Sequence, residues 1–194
     1  MTIRAIFSMD AKKGMGNKGE LLFNISDDLK RFKKLTEGDT VLMGKKTWNS
    51  LPIKPLPNRD NVVVTSSIEG IDGRAKVVDD PHLVLDYHRF ARNEDLWIIG
   101  GANLIEQAIL EDYVDEVYMT IILDESKEAD VFFNQDVFET VKYEIMFHEN
   151  KEFVEDGETI PYANLIKRKK KKKKSLLSIK RVGFLQFKMS ILTL

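Results

Sequence analysis

Short apolar segments that alternate with helical segments are the feature that most constrains how this chain can fold. Six segments rich in Val, Ile, Leu and Met are typical of buried strands; they cover residues 2–9, 40–43, 61–65, 75–78, 96–99 and 114–123. The clearest helix pattern covers residues 25–36. Residues 138–147 and 159–166 then flank Asp156 and Gly157, a hairpin signal. This order predicts an α/β domain with a mixed sheet, closed by an antiparallel hairpin.

The helix predicted over residues 25–36 carries a carboxylate on its apolar side. Ile25, Leu29 and Phe32 are spaced along one face of the helix, and Asp28 occupies the remaining position of that face. Asp28 is therefore predicted to point inward. A carboxylate in an apolar wall needs hydrogen-bond donors, and the loss of water raises its pKa. Such a group is a candidate for a functional site.

The residues beside Asp28 allow a second interpretation. Asp27 lies on another face of the helix, and Lys30 and Arg31 follow it at the spacing of ion pairs, so it is predicted to be a surface acid. Ser26 is predicted to be the N-cap. Asp28 could simply assist Ser26 in capping the helix, and the spacing alone does not decide between a cap and a site.

Three segments that follow predicted strands have features of a phosphate-binding site. They are residues 44–47 (GKKT), Ser66 and residues 100–102 (GGA). Free backbone amides at a helix start, together with ammonium groups, attract anions. The alternatives are ordinary surface lysines and a plain tight turn. Because ligands of such sheets gather at the carboxyl ends of the strands, we expect the three segments to lie together.

A glycine-rich segment follows the first predicted strand. Gly14, Gly16 and Gly19 match the pattern GxGxxG of dinucleotide-binding folds. In those folds the glycines lead directly into a helix, whereas here the helix pattern begins only at Ser26. We interpret the segment as a loop that closes over a ligand.

The composition argues against several kinds of site. The chain has no cysteine, which excludes disulfides and thiolate chemistry and is in keeping with a cytoplasmic location. His82, His88 and His148 are not spaced like metal ligands, so we expect no metal. Because the sequence has neither a secretion signal nor an apolar run of 18 residues, it predicts neither export nor a membrane span.

Charge divides the chain into two parts. The net charge is −1, but residues 167–194 contain eleven basic residues and no acidic one, which leaves 19 basic and 31 acidic residues in 1–166. We expect one domain over residues 1–168 and a lysine-rich tail over 169–194, either disordered or non-native. The tail could contact a membrane surface or nucleic acid. We favour an appendage without a part in the chemistry, such as a translated frameshift, and its partner is unknown.

Taken together and in this order, the motifs resemble dihydrofolate reductase over residues 1–168. They are SDDLKRFK, VLMGKKTWNSL, PLPNR, NVVVTSS, WIIGGANL and VYMT, followed by the terminal hairpin. The resemblance implies a three-layer fold with a central eight-stranded, mostly parallel mixed sheet. It also implies NADPH-dependent reduction of 7,8-dihydrofolate to 5,6,7,8-tetrahydrofolate by hydride transfer, in support of one-carbon metabolism and thymidylate synthesis. A monomer is expected.

The resemblance also implies roles for individual residues. Asp28 matches the catalytic carboxylate of the family, and Thr120 matches its hydroxyl partner. Substrate-binding positions correspond to Ile6, Leu29, Phe32, Leu51, Arg59 and Ile99, with Arg59 on the carboxylate of the glutamate tail. Cofactor-binding positions correspond to Ser8, Met15, Gly16, Gly44, Lys45, Lys46, Thr47, Thr65, Ser66, Gly100, Gly101, Ala102, Asn103 and Leu104.

Several positions depart from the family's pattern. Leu22 and Phe23 stand where Pro-Trp is usual, and Phe23 lacks the indole N–H that holds a water beside the pterin. Ala102 replaces a third glycine, Asn103 an arginine of some members, and Ile105 an aromatic residue near the nicotinamide. These changes affect the water relay and the packing of the cofactor more than the fold.

Two other functions agree with the same fold. A riboflavin-pathway reductase shares the fold and NADPH, but it does not need the pair of Asp28 and Arg59. A catalytically weak binding or structural homologue could instead attach to an acidic partner through its basic tail.

Overall fold

The computed structural model describes residues 2–90 and 94–170. Within these residues the strands are Ile3–Asp10 (β1), Gly14–Asn17 (β2), Glu20–Leu21 (β3), Thr40–Gly44 (β4), Asp60–Val64 (β5), Lys76–Val78 (β6), Leu96–Gly100 (β7), Glu116–Ile122 (β8), Val131–Phe132 (β9), Tyr143–Glu155 (β10) and Glu158–Lys169 (β11). The helices are Ser26–Thr36 (α1), Lys45–Ser50 (α2), Pro81–Phe90 (α3), Ala102–Leu110 (α4) and Val137–Thr140 (α5).

Eight of these strands form one mixed sheet in the order β10-β11-β8-β1-β7-β4-β5-β6. The strands from β8 to β6 in this order are parallel, whereas β11 is antiparallel to both β8 and β10. The predicted eight-stranded mixed sheet and its closing hairpin are therefore confirmed, and Asp156 and Gly157 form the hairpin turn at positive φ.

Apolar side chains pack on both faces of this sheet, which gives the predicted three layers. One cluster joins residues of α1 and α2 to the sheet and includes Phe32 and Trp48. The other joins α3 and α4 to the opposite face and includes Leu85 and Ile105, which are almost fully buried. Strands that are covered on both faces explain the continuous apolar runs in the sequence.

The glycine-rich segment forms strands instead of opening a helix. β2 pairs with β3 and β9 in a separate three-stranded antiparallel sheet. A Cβ atom on Gly14 would lie 2.7 Å from the Cβ of Ala129, and one on Gly16 would lie 2.7 Å from the backbone oxygen of Glu20. Close packing accounts for both glycines, and the dinucleotide-fingerprint interpretation was correctly set aside.

Two local predictions were wrong. Ser26 is not the N-cap, because the helix already begins at Ser26 and the preceding Ile25 is buried without a capping side chain. Residues 138–142 were predicted as strand, but Val137–Thr140 is a helical turn. The buried Val137 and the ring of Phe138, 5.7 Å from the ring of Phe133, anchor this turn. Tertiary packing thus overrides the local preference for a strand.

The C-terminal strand ends one residue beyond the predicted domain boundary. Lys169 belongs to β11, and its backbone N–H donates to the carbonyl of Asp115 at 2.8 Å. The N–H of Lys170 donates to the carbonyl of Lys142 at 3.0 Å. The rest of the predicted tail, residues 171–194, lies outside the described residues, so the domain boundary and the nature of the tail stay predictions.

Candidate active site

Asp28 in α1 faces Thr120 in β8, as the helical spacing predicted. The Thr120 hydroxyl donates to Oδ1 of Asp28 at 2.5 Å, which is typical of a hydrogen bond to a charged acceptor. Thr120 is buried and Asp28 is half-buried. The contact joins residues 92 positions apart in the sequence. Asp28 therefore faces the sheet, and because no side chain caps the start of α1, the capping interpretation fails.

The surroundings of Asp28 perturb its titration. Burial raises the pKa of Asp28, and it outweighs the Thr120 hydrogen bond and the charge of Arg31, which lower it. Asp27 instead lies on the exposed side of the helix, where Lys30 donates to it at 3.1 Å. The two adjacent acids thus differ as predicted.

Four of the apolar residues predicted to bind substrate lie on the same side of the sheet as Asp28. Ile6, Phe32, Leu51 and Ile99 belong to one cluster on the α1 side of the sheet. Leu29, one residue after Asp28, is 43% exposed. An exposed leucine beside a half-buried carboxylate offers apolar surface to a flat ligand, so the assignment of Leu29 to substrate binding stays a prediction.

Arg59 is held in one orientation at the far end of α1. Its Nε donates to the Thr36 hydroxyl at 2.8 Å, and Nη1 and Nη2 donate to the carbonyls of Pro57 and Lys33 at 2.8 and 3.1 Å. Its guanidinium also lies over the ring of Phe32 at 5.6 Å. Sequence reasoning missed Thr36, which the structure shows to be buried, because no sequence pattern connects it with Arg59.

The double glycine meets the start of α2, as the sequence predicted. Gly100 has φ +136°, and a Cβ atom there would lie 2.8 Å from Thr47 Oγ1. At Gly101 the distance from an added Cβ to Thr47 Oγ1 is 3.7 Å, and at Gly44 an added Cβ lies 3.8 Å from the Gly101 nitrogen. Residues 44–47 and 100–101 therefore adjoin one another at the carboxyl ends of β4 and β7.

Other predicted cofactor residues lie at the same edge of the sheet. Thr65 and Ser66 follow β5, which is paired with β4, and Ser66 is exposed. The Thr65 hydroxyl is engaged in its own turn, because it accepts from the Ser67 N–H and contacts the Ser67 carbonyl, both at 3.2 Å. The remaining predicted cofactor residues differ in their exposure. Lys46 and Asn103 are exposed, Lys45 and Leu104 are half-buried, and Ala102 is buried.

A small pocket lies where the glycine-rich strands meet β1. Ser8, Met15, Leu22, Phe23 and Ile122 are among its lining residues. Phe23 is buried, with Lys127 Nζ 4.3 Å from its ring centre. The structure thus brings Ser8 and Met15 together with the residues that stand in place of the usual Pro-Trp. Gly16 lies next to Met15 and accepts a backbone hydrogen bond from Asp130 at 3.0 Å.

Asn164 is a second polar neighbour of Thr120 that sequence reasoning missed. It lies opposite Thr120 in the pairing of β11 with β8, and its Oδ1 is 3.1 Å from Thr120 Oγ1. Its exposed fraction is only 2%. An asparagine between the apolar residues of a predicted strand was a signal of a buried polar contact.

Known proteins match this chain over most of its length. The family model "Dihydrofolate reductase" matches residues 2–168. A dihydrofolate reductase of Bacillus subtilis is 40% identical over 120 residues, which cover 62% of this chain and 68% of that protein. The chain belongs to the dihydrofolate reductase family. A Staphylococcus aureus dihydrofolate reductase is 38% identical over 144 residues, which cover 72% of this chain and 82% of that protein.

Two further relatives of different kinds agree with the family. A solved dihydrofolate reductase from Enterococcus faecalis, complexed with NADP(H) and RAB-propyl, superimposes with a TM-score of 0.76 at 25% identity and covers 88% of this chain and 97% of that one. A bifunctional dihydrofolate reductase-thymidylate synthase of Paramecium tetraurelia is 33% identical over 139 residues, and the match spans 72% of this chain but only 29% of that protein.

The dihydrofolate reductase identity makes this chain an NADPH-dependent oxidoreductase. Its residues fit that cofactor, because Gly44 and Gly101 leave backbone open beside the first turn of α2, where Lys45 and Lys46 add positive charge. Across residues 2–90 and 94–170, no cluster of three or more acidic or histidine side chains is arranged to hold a metal ion. None of the helices in this part of the chain is both long and apolar enough to span a bilayer.

Proposed function

We propose that this enzyme reduces 7,8-dihydrofolate to 5,6,7,8-tetrahydrofolate, with Asp28 as the residue that binds and polarises the pterin. The observation that carries the proposal is the state of the Asp28 carboxylate. Its Oδ1 is bound by Thr120, whereas its Oδ2 has no hydrogen-bond donor among residues 2–90 and 94–170. A half-buried carboxylate with one free oxygen in an apolar cleft is suited to a ligand that brings its own donors.

The Asp28 carboxylate would accept from the amino group and the adjacent ring N–H of the pterin. Two donors favour the ionised form of Asp28 and so oppose the effect of its burial. Its negative charge then stabilises the cation that forms when the imine nitrogen of dihydrofolate takes a proton. When bound, NADPH supplies the hydride that is added to the imine carbon.

Arg59 would bind the carboxylate of the glutamate tail. Its Nε and parts of both Nη groups are already held by Thr36, Pro57 and Lys33, so the guanidinium keeps one plane before the substrate arrives. A fixed planar fork suits a carboxylate, and it loses less side-chain entropy on binding than a free side chain. Ile6, Leu29, Phe32, Leu51 and Ile99 would cover the rings between the two polar ends.

The cofactor would lie along the carboxyl ends of β4, β5 and β7. Gly100, Gly101 and Ala102 would approach its pyrophosphate, and the side chains of Lys45, Lys46, Thr47 and Ser66 would bind its other phosphate. Two ammonium groups and two hydroxyls at this edge favour NADPH over NADH, because the extra phosphate brings negative charge. Ser8 and Met15 would face the nicotinamide.

Tetrahydrofolate made in this way would serve one-carbon metabolism and thymidylate synthesis. The cytoplasmic location and the monomeric state remain predictions from the sequence.

A direct test compares two adjacent acids. NADPH oxidation is followed by its absorbance after addition of dihydrofolate, for the wild-type protein, Asp28→Asn and Asp27→Asn. We expect Asp28→Asn to lower kcat/KM by at least about a hundredfold, as for the loss of a preorganised electrostatic group. Asp27→Asn, which loses only a surface ion pair, should stay within about twofold of wild type. Full turnover by Asp28→Asn at neutral pH would overturn the proposal.

A further inference from the structure

Asn164 completes a chain of three polar side chains that ends at Asp28. Asn164 in β11, Thr120 in β8 and Asp28 in α1 are joined by contacts of 3.1 and 2.5 Å through Thr120 Oγ1. Asn164 and Thr120 are both at most 2% exposed, so water cannot readily replace either contact. Thr120 also lies opposite Ser8 of β1, which places the three polar residues Ser8, Thr120 and Asn164 in one row on the α1 side of the sheet.

Counting hydrogens at Thr120 shows what Asn164 must do. A threonine hydroxyl has one hydrogen, and the distance of 2.5 Å assigns it to the Asp28 carboxylate when that group is ionised. In the structure the amide oxygen of Asn164 faces Thr120. The 3.1 Å contact can therefore take its hydrogen from Asn164 only after a half-turn of the amide, which brings the nitrogen to Thr120. In the opposite orientation, with Oδ1 toward Thr120, this nitrogen has no acceptor among the described residues although it is buried.

The opposite orientation suits a protonated Asp28. The carboxyl group then donates to Thr120 Oγ1, and the Thr120 hydroxyl donates to Oδ1 of Asn164. An amide presents a donor and an acceptor of almost the same shape, so a half-turn of the side chain serves both states. Leucine at this position would serve neither state, and aspartate would offer only acceptors.

We propose that Asn164 is a positioning residue for dihydrofolate reduction, which sets the direction of the Thr120 hydroxyl and thereby the hydrogen bonding of Asp28. The proposal rests on the function proposed above. With the Asn164 amide nitrogen toward Thr120, the chain of donors runs from the sheet to Oδ1 of Asp28. The N–H of Asn164 then polarises the Thr120 hydroxyl, which strengthens the hydrogen bond from this hydroxyl to the Asp28 carboxylate. Oδ2 stays available for the substrate.

Other charged and titratable groups also lie around Asp28 and Asn164. Arg31 on the same helix interacts with Asp28 through its charge. From the sheet, Tyr162 of β11 is close enough for the charges of Asp27 and Asp28 to raise its pKa, after burial as the main cause, while Lys151 of β10 lowers it. Glu149 of β10 lies opposite Asn164 and also raises the pKa of Tyr162.

The test measures the Asp28 carboxyl directly, in the protein without substrate. Carboxyl-¹³C aspartate is incorporated, the Asp28 signal is assigned by its loss in Asp28→Asn, and its chemical shift is followed against pH. Asn164→Leu removes the hydrogen bonds of both states. Because the hydrogen bond to the ionised carboxylate is the stronger of the two, the titration of Asp28 should move to higher pH. Leu165→Ala disturbs the neighbouring position of β11 on the other face of the strand, and it should leave this titration unchanged.

A double-mutant cycle separates positioning from general damage to the strand. Thr120→Val should lower kcat/KM for dihydrofolate at pH 7 by roughly 10- to 150-fold, the range expected for one hydrogen bond to a charged group. Asn164→Leu should lower it by roughly twofold to tenfold, the range expected for one hydrogen bond between neutral groups. The double variant should be no slower than Thr120→Val alone, because Asn164 acts through Thr120. If the two effects multiply, or if Asn164→Leu leaves the Asp28 titration in place, the inference is wrong.

Two outcomes of the experiment are kept apart. If Asn164→Leu does not fold, Asn164→Ala, which leaves a cavity instead of a clash, is measured in the same way and decides the question. If the wild-type protein does not reduce dihydrofolate, the proposed function fails, but the titration of Asp28 still reports whether Asn164 controls it.

Discussion

Gly100 is the position where the structure gives the sharpest prediction for a single added methyl group. Its φ of +136° is a conformation that residues with a side chain rarely adopt, and an added Cβ would lie 2.8 Å from Thr47 Oγ1. The backbone conformation costs about 1–3 kcal/mol for alanine, and overpacking costs about as much again. We expect Gly100→Ala to lower the free energy of unfolding by about 2–6 kcal/mol. Urea denaturation followed by circular dichroism measures this as a lower midpoint with an unchanged slope.

Matched variants separate the two causes. An added Cβ at Gly101 lies 3.7 Å from Thr47 Oγ1, which is an ordinary contact, so Gly101→Ala should change the free energy of unfolding by less than about 1 kcal/mol. It should still weaken NADPH binding, since the new methyl group stands in the backbone surface proposed for the pyrophosphate. In the double variant Gly100→Ala with Thr47→Ala, the nearest remaining side-chain atom of residue 47 is its Cβ, 3.6 Å from the new Cβ at position 100. The second substitution should therefore restore only the part of the stability that was lost through overpacking. Equal stability of Gly100→Ala and Gly101→Ala would refute the reasoning.

Three further predictions concern charged groups. Because burial raises the pKa of Asp28 in the folded protein, the ionised form of Asp28 lowers stability, and this loss grows as pH rises through the pKa. At pH 7, Asp28→Asn should therefore unfold at a higher urea concentration than wild type, by a difference that disappears toward pH 4. An unchanged urea midpoint at pH 7 would contradict this. Arg59→Lys should raise KM for dihydrofolate by about tenfold to a hundredfold, but it should leave the turnover of a dihydropterin without the glutamate tail unchanged. An equal loss of activity on both substrates would exclude the contact between Arg59 and the tail. Burial raises the pKa of Glu116, but hydrogen bonds from Arg4 and Arg168 outweigh it and hold the pKa below its usual value. The wild-type protein should therefore lose stability as pH falls through the acidic range, whereas Glu116→Gln should be about 1–3 kcal/mol less stable at pH 7 and less sensitive to acid. Identical pH profiles of the two proteins in urea denaturation would rule this out.

The parts of the fold that the sequence predicted correctly depend on repeating patterns. Continuous apolar runs predicted the six parallel strands of the main sheet, and the helical spacing placed Asp28 on the inner side of α1. The meeting of Gly44 and Gly101 followed from one rule about parallel sheets, that the carboxyl ends of their strands share an edge. Such rules need only local sequence and the order of the segments.

What the sequence did not predict depends on contacts between distant residues. Phe138 begins a segment that was predicted as a strand, whereas its packing against Phe133 holds it in a helical turn. Thr36 orients Arg59, 23 positions later, and Asn164 meets Thr120 across 44 positions. No spacing rule within a helix or a strand connects such pairs, because each depends on the register between separate elements.

The position of β11 in the sheet has a consequence for how the enzyme is made. Glu158–Lys169 lies between β8 and β10 and is the last strand of the described chain. On a ribosome, β8 would emerge long before its neighbour and would expose an unpaired edge. Asn164 would reach Thr120 only after nearly the whole domain had left the exit tunnel, so a nascent chain would lack the contact between Asn164 and Thr120 until the last strand of the domain was in place.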